Sequence, residues 1–233
     1  MPGQIESAQR HALEQLPDHQ LAARVAAGEH GLFELIMRRY NQRLYRIARG
    51  ILGSDAEAED AVQEGYIRAY RKLDQFRGPE GFGGWLCRIV SNEALMRLRR
   101  QVRLRLAPIS ELDMATNQEA AMADPRSPAV NPEAALHEEQ LKRLLAAAVD
   151  ALPDAYRATF VLREVEQMTV AETAACLGVE QTTVKTRVHR ARQLLQKNLS
   201  AELCAALPGT FDFDGARCDR LVARVFQRLN AAG

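Results

Sequence analysis

Thr169–Gln196 reads TVAETAACLGVEQTTVKTRVHRARQLLQ, and its pattern decides the fold. Thr169 and Glu172 have capping-box spacing, in which the hydroxyl accepts a free first-turn N–H while the carboxylate reaches back. Val170, Ala174 and Leu177 then fall near one face of a short helix. Gly178 follows, a residue that takes positive φ without a Cβ clash and so ends a helix. In the next helix Val184, Val188, Ala191 and Leu195 repeat at i, i+4, i+7 and i+11, a buried stripe. At 100° per residue, Lys185, Thr186, His189 and Arg190 point away from that stripe, and Arg187 lies on its boundary. Glu180–Lys197 carries a net +4. A helix-turn-helix presents such a helix to the major groove, where Arg and Lys meet phosphates and guanine edges. The alternative is an ordinary helical hairpin with a solvated basic face.

Working outward, the chain reads as nearly all helical. With 233 residues and 47% apolar content it can bury one large or two small cores. The net charge of +1 says little, because basic and acidic stretches cancel. There is no apolar run of membrane-spanning length. MPGQIESAQRH lacks a basic stretch leading into an apolar one, so no secretory signal is expected. Cys87, Cys176, Cys204 and Cys218 are scattered without CxxC spacing, which points to reduced thiols rather than a metal site. Residues 1–16 carry little pattern.

Asp18–Ala27 is a short helix candidate. Leu32–Leu52 is strongly amphipathic, with Phe33, Ile36, Met37, Tyr40, Leu44, Ile47, Ala48 and Ile51 at helical spacing. In Asp55–Leu73 the stripe is Ala58, Ala61, Val62, Tyr66, Ala69, Tyr70 and Leu73. The other side gathers Asp60, Gln63, Glu64 and Ile67, an exposed isoleucine among polar groups. That face is either a partner-docking surface or a lone surface isoleucine of no consequence.

The loop DQFRGPEGFGGWL, residues 74–86, carries Phe76, Phe82 and Trp85. Aromatics there either stack on unpaired bases or plug the core beneath the loop. The glycines form neither GxGxxG nor a P-loop, which disfavours a nucleotide cofactor. Trp85–Leu106 follows as a second basic helix, net +5 over residues 86–106. Leu86, Ile89, Val90 and Met96 share its apolar face. Ala107–Glu139, with Pro108, Pro125, Pro128 and Pro132 and a net −6, reads as a flexible acidic linker. Leu136–Ala151 and Pro153–Glu166 are helices supporting the helix-turn-helix. Near the C-terminus Leu221, Val222, Val225, Phe226 and Leu229 form an amphipathic helix, which either packs on the second domain or binds a regulator.

SDAEAEDAVQEGYIRAYRKLDQF, GFGGWLCRIVSNEALMRLRR and ALPDAYRATFVLREVEQMTVAETAACLGVEQTTVKTRVHRARQLL together resemble the bacterial extracytoplasmic-function sigma factors. The resemblance covers about residues 20–106 and 136–199, leaving a tail at 1–19, a linker at 107–135 and an extension at 200–233. It implies an all-α protein of two small helical domains, the second containing the helix-turn-helix. It also implies a non-enzymatic, cytoplasmic subunit that directs core RNA polymerase to promoters. The partners implied are the polymerase β′ clamp helices and β subunit, promoter DNA, and an anti-sigma factor where one exists. No cofactor, metal or membrane insertion is implied.

By that resemblance Asp60 and Gln63, with Glu64 and Ile67, form the core-polymerase face. The −10 contacts would come from Phe82, Trp85, Arg88, Asn92, Arg97 and Arg100. The −35 contacts would come from Thr183, Lys185, Thr186, Arg187, His189 and Arg190. The chain departs from the family at Ala61, Tyr70 and Thr173, and at Glu180-Gln181-Thr182, where the recognition helix begins. Two other readings remain: a free-standing helix-turn-helix regulator, and a helical scaffold whose basic faces bind acidic proteins. His11, His19, His30, His137 and His189 are dispersed, and no catalytic constellation is present.

Overall fold

The computed structural model describes residues 13–76, 81–106, 132–198, 211, 213 and 215–231, and the side chains of these except 104–106, 132–139, 197 and 198. Among them every regular element is helical: α1 (Asp18–Ala26), α2 (Phe33–Leu52), α3 (Asp55–Arg71), α4 (Phe82–Leu106), α5 (Pro132–Asp150), α6 (Asp154–Phe160), α7 (Val170–Leu177), α8 (Gln181–Asn198) and α9 (Gly215–Asn230). The acidic linker expected at 107–135 lies outside the described residues up to 131. From Pro132 the chain is already helical, since proline is tolerated in a first turn.

Helices α2, α3 and α4 form the first bundle. Ile36, Met37, Leu44, Ile47 and Ile51 of α2 are buried as their spacing requires. Phe33 meets the rings of Tyr66 and Tyr70 edge-on, with centroids 5.9 and 5.2 Å away. Tyr66 is wholly buried and donates its hydroxyl proton to the Met37 carbonyl at 3.1 Å. The approach of α3 to α4 depends on Gly65, where a Cβ would lie 2.5 Å from a Val90 methyl. Glycine there exchanges helix propensity for close packing.

Three sequence expectations are corrected by the first bundle. The helix expected from Trp85 begins at Phe82, so Gly83 and Gly84 lie in its first turn. The reason is packing: Phe82 is held among Phe76, Trp85 and Tyr40, and a Cβ on Gly83 would fall 2.7 Å from the Tyr40 ring. Met96 is exposed, and Ala94 and Cys87 complete the buried side of α4 instead. Ile67, expected to be exposed, is buried at 1% exposure, and Gln63 at 8%. Helix α9 packs along α2 and α3 rather than on the second helical group, and its Arg217 and Arg228 meet Glu59 and Glu64 to either side of these two residues.

The second group, α5–α8, packs against the first through α2 and α4. Between α6 and α7 the helix expected over Pro153–Glu166 breaks into a π turn at Val161–Val165. Val161 there sits on α2 at Gly50, whose missing Cβ would lie 2.7 Å from the Val161 Cβ. Gly53 (φ 72°) ends α2, and the carbonyls just before it accept hydrogen bonds from a buried side chain of α6. Arg157 donates to the Gly50 and Ile51 carbonyls at 3.0 and 3.3 Å, and to those of Leu152 and Asp150 at 3.3 and 3.4 Å. Arg49 pairs in bidentate fashion with Asp150, both contacts at 2.7 Å. Glu166 lies between Arg46 and Arg43, at 3.5 and 3.7 Å.

Arg157→Ala removes the donors for several buried carbonyls at once. It is expected to cost on the order of 3 kcal/mol in denaturant unfolding. Unfolding within a few tenths of a kcal/mol of the wild type would remove this account of the contact.

Glu166 behaves differently, because burial raises its carboxyl above the ordinary value despite Arg46 and Arg43. A raised folded pKa gives stability that is fully present at acid pH and lost as pH rises. Glu166→Gln is therefore expected to raise the melting temperature at pH 7, with the gain shrinking as pH falls into the ordinary carboxylate range. A melting curve that drops at pH 7 would contradict it.

Candidate nucleic-acid interface

The helix-turn-helix forms as its chemistry requires. The Thr169 hydroxyl accepts the Glu172 backbone N–H at 3.2 Å, and Glu172 accepts the Thr169 N–H at 2.8 Å. The hydrogen bonds from the Thr169 hydroxyl and backbone hold the Glu172 carboxyl below its ordinary value. Gly178 closes α7 with φ 65°. Thr173, where the family has an apolar residue, is fully buried, and its hydroxyl donates to the Thr169 carbonyl at 2.9 Å. The atypical Glu180-Gln181-Thr182 still starts a helix: α8 begins at Gln181, and the Val184 N–H donates to the Glu180 carbonyl at 3.1 Å.

Val184, Val188, Ala191 and Leu195 are buried, as the stripe predicts. Val184 and Val188 pack with Ala174, flanked by Val170 and Val179. Lys185, Thr186, His189 and Arg190 are exposed on the opposite side, and Thr183 and Arg187 are half-buried at its edges. The Thr186 hydroxyl donates to the Thr182 carbonyl at 3.0 Å, which leaves its lone pairs facing solvent. Arg192, around the helix, is held by Glu164 at 2.8 Å. The result is a rigid cationic ridge with an apolar underside.

The first bundle carries the second basic surface on α4. Arg88, Asn92 and Arg100 are exposed. Arg97, expected to contact DNA, is instead engaged within the protein. It pairs with Glu93 at 3.1 Å, approaches Glu57 and Asp60 at 3.6 and 3.9 Å, and donates to the Asp60 carbonyl. Its reach to those carboxylates is what α3–α4 packing creates. Phe82 is also corrected, being buried at 4% exposure, while Trp85 keeps a half-exposed edge beside it. Phe76, Phe82 and Trp85 form one aromatic cluster, with centroids 5.0–5.5 Å apart. Cys87 and Cys176 are buried thiols, and burial pushes Cys87 up to about 12.

The acidic face of α3 is divided. Asp60 is exposed, Glu64 half-buried, and Gln63 and Ile67 are buried. Sequence reasoning missed Glu59, which anchors α9 through Arg217 at 2.8 Å and Arg224 at 3.8 Å. A signal was present, since Arg217, Arg224 and Arg228 stand at i, i+7 and i+11 on one face of α9.

Two ordered helical modules, each with a basic helix, define a class of DNA-binding transcription subunit rather than a lone operator-binding hairpin. Residues 36–104 match sigma-70 region 2, and residues 142–195 match sigma-70 region 4. The sequence is 32% identical over 186 residues to the ECF RNA polymerase sigma-E factor of Escherichia coli K12, covering 80% of this chain and 96% of that protein. The sigma-E factor of Salmonella typhimurium LT2 matches over the same shares. ECF sigma factor SigE of Mycolicibacterium smegmatis is 36% identical over 165 residues, and this chain spans 60% of its length.

Among solved structures, CnrH in complex with the cytosolic domain of CnrY is 27% identical, with a TM-score of 0.51 over 79% of this chain and 98% of that one. RpoE in complex with the anti-sigma factor NepR, from Bartonella quintana, is 23% identical with a TM-score of 0.52 over 69% and 91%, and shares the fold. The chain belongs to the extracytoplasmic-function sigma factors, the RNA polymerase subunits that direct the core enzyme to promoters.

The aromatic cluster yields a stability test. Phe82→Ala is expected to cost about 3–5 kcal/mol in denaturant unfolding. Trp85→Ala should cost clearly less, because part of its ring is already in water. Equal losses would show that both rings serve the core alone.

Proposed function

We propose that the exposed ridge of α8 reads the −35 element and that α4 with the edge of Trp85 engages the −10 element. On α8 the contacts would be Lys185, Thr186, His189 and Arg190, with Thr183 and Arg187 at the margins. On the first bundle they would be Arg88, Asn92 and Arg100. Arg97 holds the α3–α4 contact, and Phe82 supports Trp85 from beneath. The observation that carries this reading is α8 itself, with Lys185, Thr186, His189 and Arg190 exposed on one side and Val184, Val188, Ala191 and Leu195 buried on the other.

Asp60, Gln63, Glu64 and Ile67 are read as the face for the β′ clamp helices. Each basic patch is small, so isolated DNA binding is weak and driven by counterion release. Docking on polymerase would present both patches to the promoter at once and raise their effective concentration there. The chain acts without catalysis of its own, in the cytoplasm where its polymerase and DNA are. The similar fold of sigma factor RpoE, solved in complex with the anti-sigma factor NepR, supports such a factor as a regulator here.

Run-off transcription with purified core polymerase on genomic promoter fragments tests the whole reading. Arg190→Ala is expected to weaken −35 recognition by about 1–3 kcal/mol with the melting temperature unchanged. Loss of folding without loss of −35 selectivity would overturn the assignment. Tight, sequence-selective duplex binding without core would favour the free-standing regulator.

A further inference from the structure

Helix α9 lies beyond both matched regions, which end at residue 195, yet it is among the most heavily tied elements of the first bundle. It runs along the groove between α2 and α3. On α3, Glu59 and Glu64 project about 140° apart, with Gln63 and Ile67 between them. Arg217 holds Glu59 at 2.8 Å and Arg228 holds Glu64 at 2.9 Å, so the two contacts straddle the covered residues. From α2, Arg38 reaches Asp219 at 2.8 Å and the Asn41 amide donates to the Cys218 sulfur at 2.8 Å. Leu221, Val222 and Val225 are buried between these polar contacts.

The anchorage is uneven along α9. At its start the Arg217 guanidinium lies 4.4 Å from the Tyr45 ring centroid and 5.0 Å from that of Phe213. Phe213 packs on Tyr45 at 4.6 Å, and its N–H donates to the Gln42 side chain at 2.7 Å. Gln42 also donates to the Phe211 carbonyl at 2.8 Å. At its far end the Arg224 and Arg228 side chains are about half exposed, and ion pairs of that kind are weak and salt-screened. The start of α9 is therefore held by ring packing and hydrogen bonds as well as ion pairs, whereas the end that reaches Glu64 rests on Val225, Phe226 and Leu229 with only screened ion pairs beside them.

We infer that α9 is a built-in occupant of the polymerase-docking face, closing it in the free chain and peeling away from the Glu64 end when core polymerase binds. The inference rests on the reading of Asp60, Gln63, Glu64 and Ile67 as that face. A face whose centre is a buried isoleucine and a buried glutamine is not available to a second protein until its cover moves. Core polymerase then binds only the open fraction of chains, and its apparent affinity falls by that fraction.

Hydrogen exchange of the full chain, free and bound to core polymerase, is the direct test. Amides of 224–230, and not those beside Arg217, are expected to exchange about tenfold faster in the complex while α3 becomes more protected. The variant carrying Arg224→Glu and Arg228→Glu is expected to bind core about tenfold tighter by fluorescence anisotropy. Asp60, exposed beside α9, reports on the docking face by itself, and Asp60→Arg is expected to weaken core binding with or without the two α9 changes. If Asp60→Arg weakens binding but α9 stays protected in the complex and the double variant binds no tighter, the occlusion is overturned and the docking face stands. If Asp60→Arg has no effect, the docking reading falls and the inference falls with it.

Discussion

A helix that ends inside a protein leaves carbonyl groups with no partner one turn on, and α2 ends in that way against α6. The donors come from the other half of the chain: Arg157 reaches the Gly50 and Ile51 carbonyls while closing the α5–α6 turn through those of Asp150 and Leu152. One buried guanidinium therefore joins the two helical groups. Its neighbours follow from that placement. Gly50 admits Val161 at a distance no Cβ would allow, and Arg49 meets Asp150 in bidentate geometry at the same junction. A helix-turn-helix resting on this base has fixed supports on one side and a free cationic ridge on the other.

Charge is handled differently at different depths. At the junction the carboxylate of Glu166 is buried between two arginines and still titrates above its ordinary value, because desolvation outweighs the attraction. On the surface of α3 the balance reverses. Burial opposes the charge of Glu64, but Arg228 and Arg68 outweigh it and hold the carboxyl below its ordinary value. Arg97 shows a third outcome, a part-exposed cation shared among Glu93, Glu57 and Asp60. In each case the balance of burial against nearby opposite charge decides the role, and the residue type alone does not.

The covering of Ile67 joins the fold to regulation. A helix whose apolar face is only partly buried by its own bundle needs a partner, and in this chain α9 supplies one from within. Its three arginines meet Glu59 and Glu64 on either side of the covered residues, so charge sets its position along the groove while Leu221, Val222 and Val225 supply the apolar contact.

The sequence by itself determined the local elements and the chemistry of the DNA-facing ridge. Capping at Thr169, the left-handed glycine at 178 and the Val184–Leu195 stripe depend on residues within a few turns of one another, so their spacing was enough. The order of two basic modules across an acidic stretch was equally legible, and with it the sigma-factor family. Only the tertiary structure decided which exposed-looking groups were free. Ile67 and Gln63 are buried where periodicity shows an open side of α3, because helical periodicity reports a face without saying what packs against it. The same limit hid Arg157, Glu59 and Glu166, whose roles arise from contacts between segments distant along the chain. The side of α9 was legible as amphipathic, but its seat on α2 and α3 was not, because an apolar stripe carries no address until a complementary groove exists.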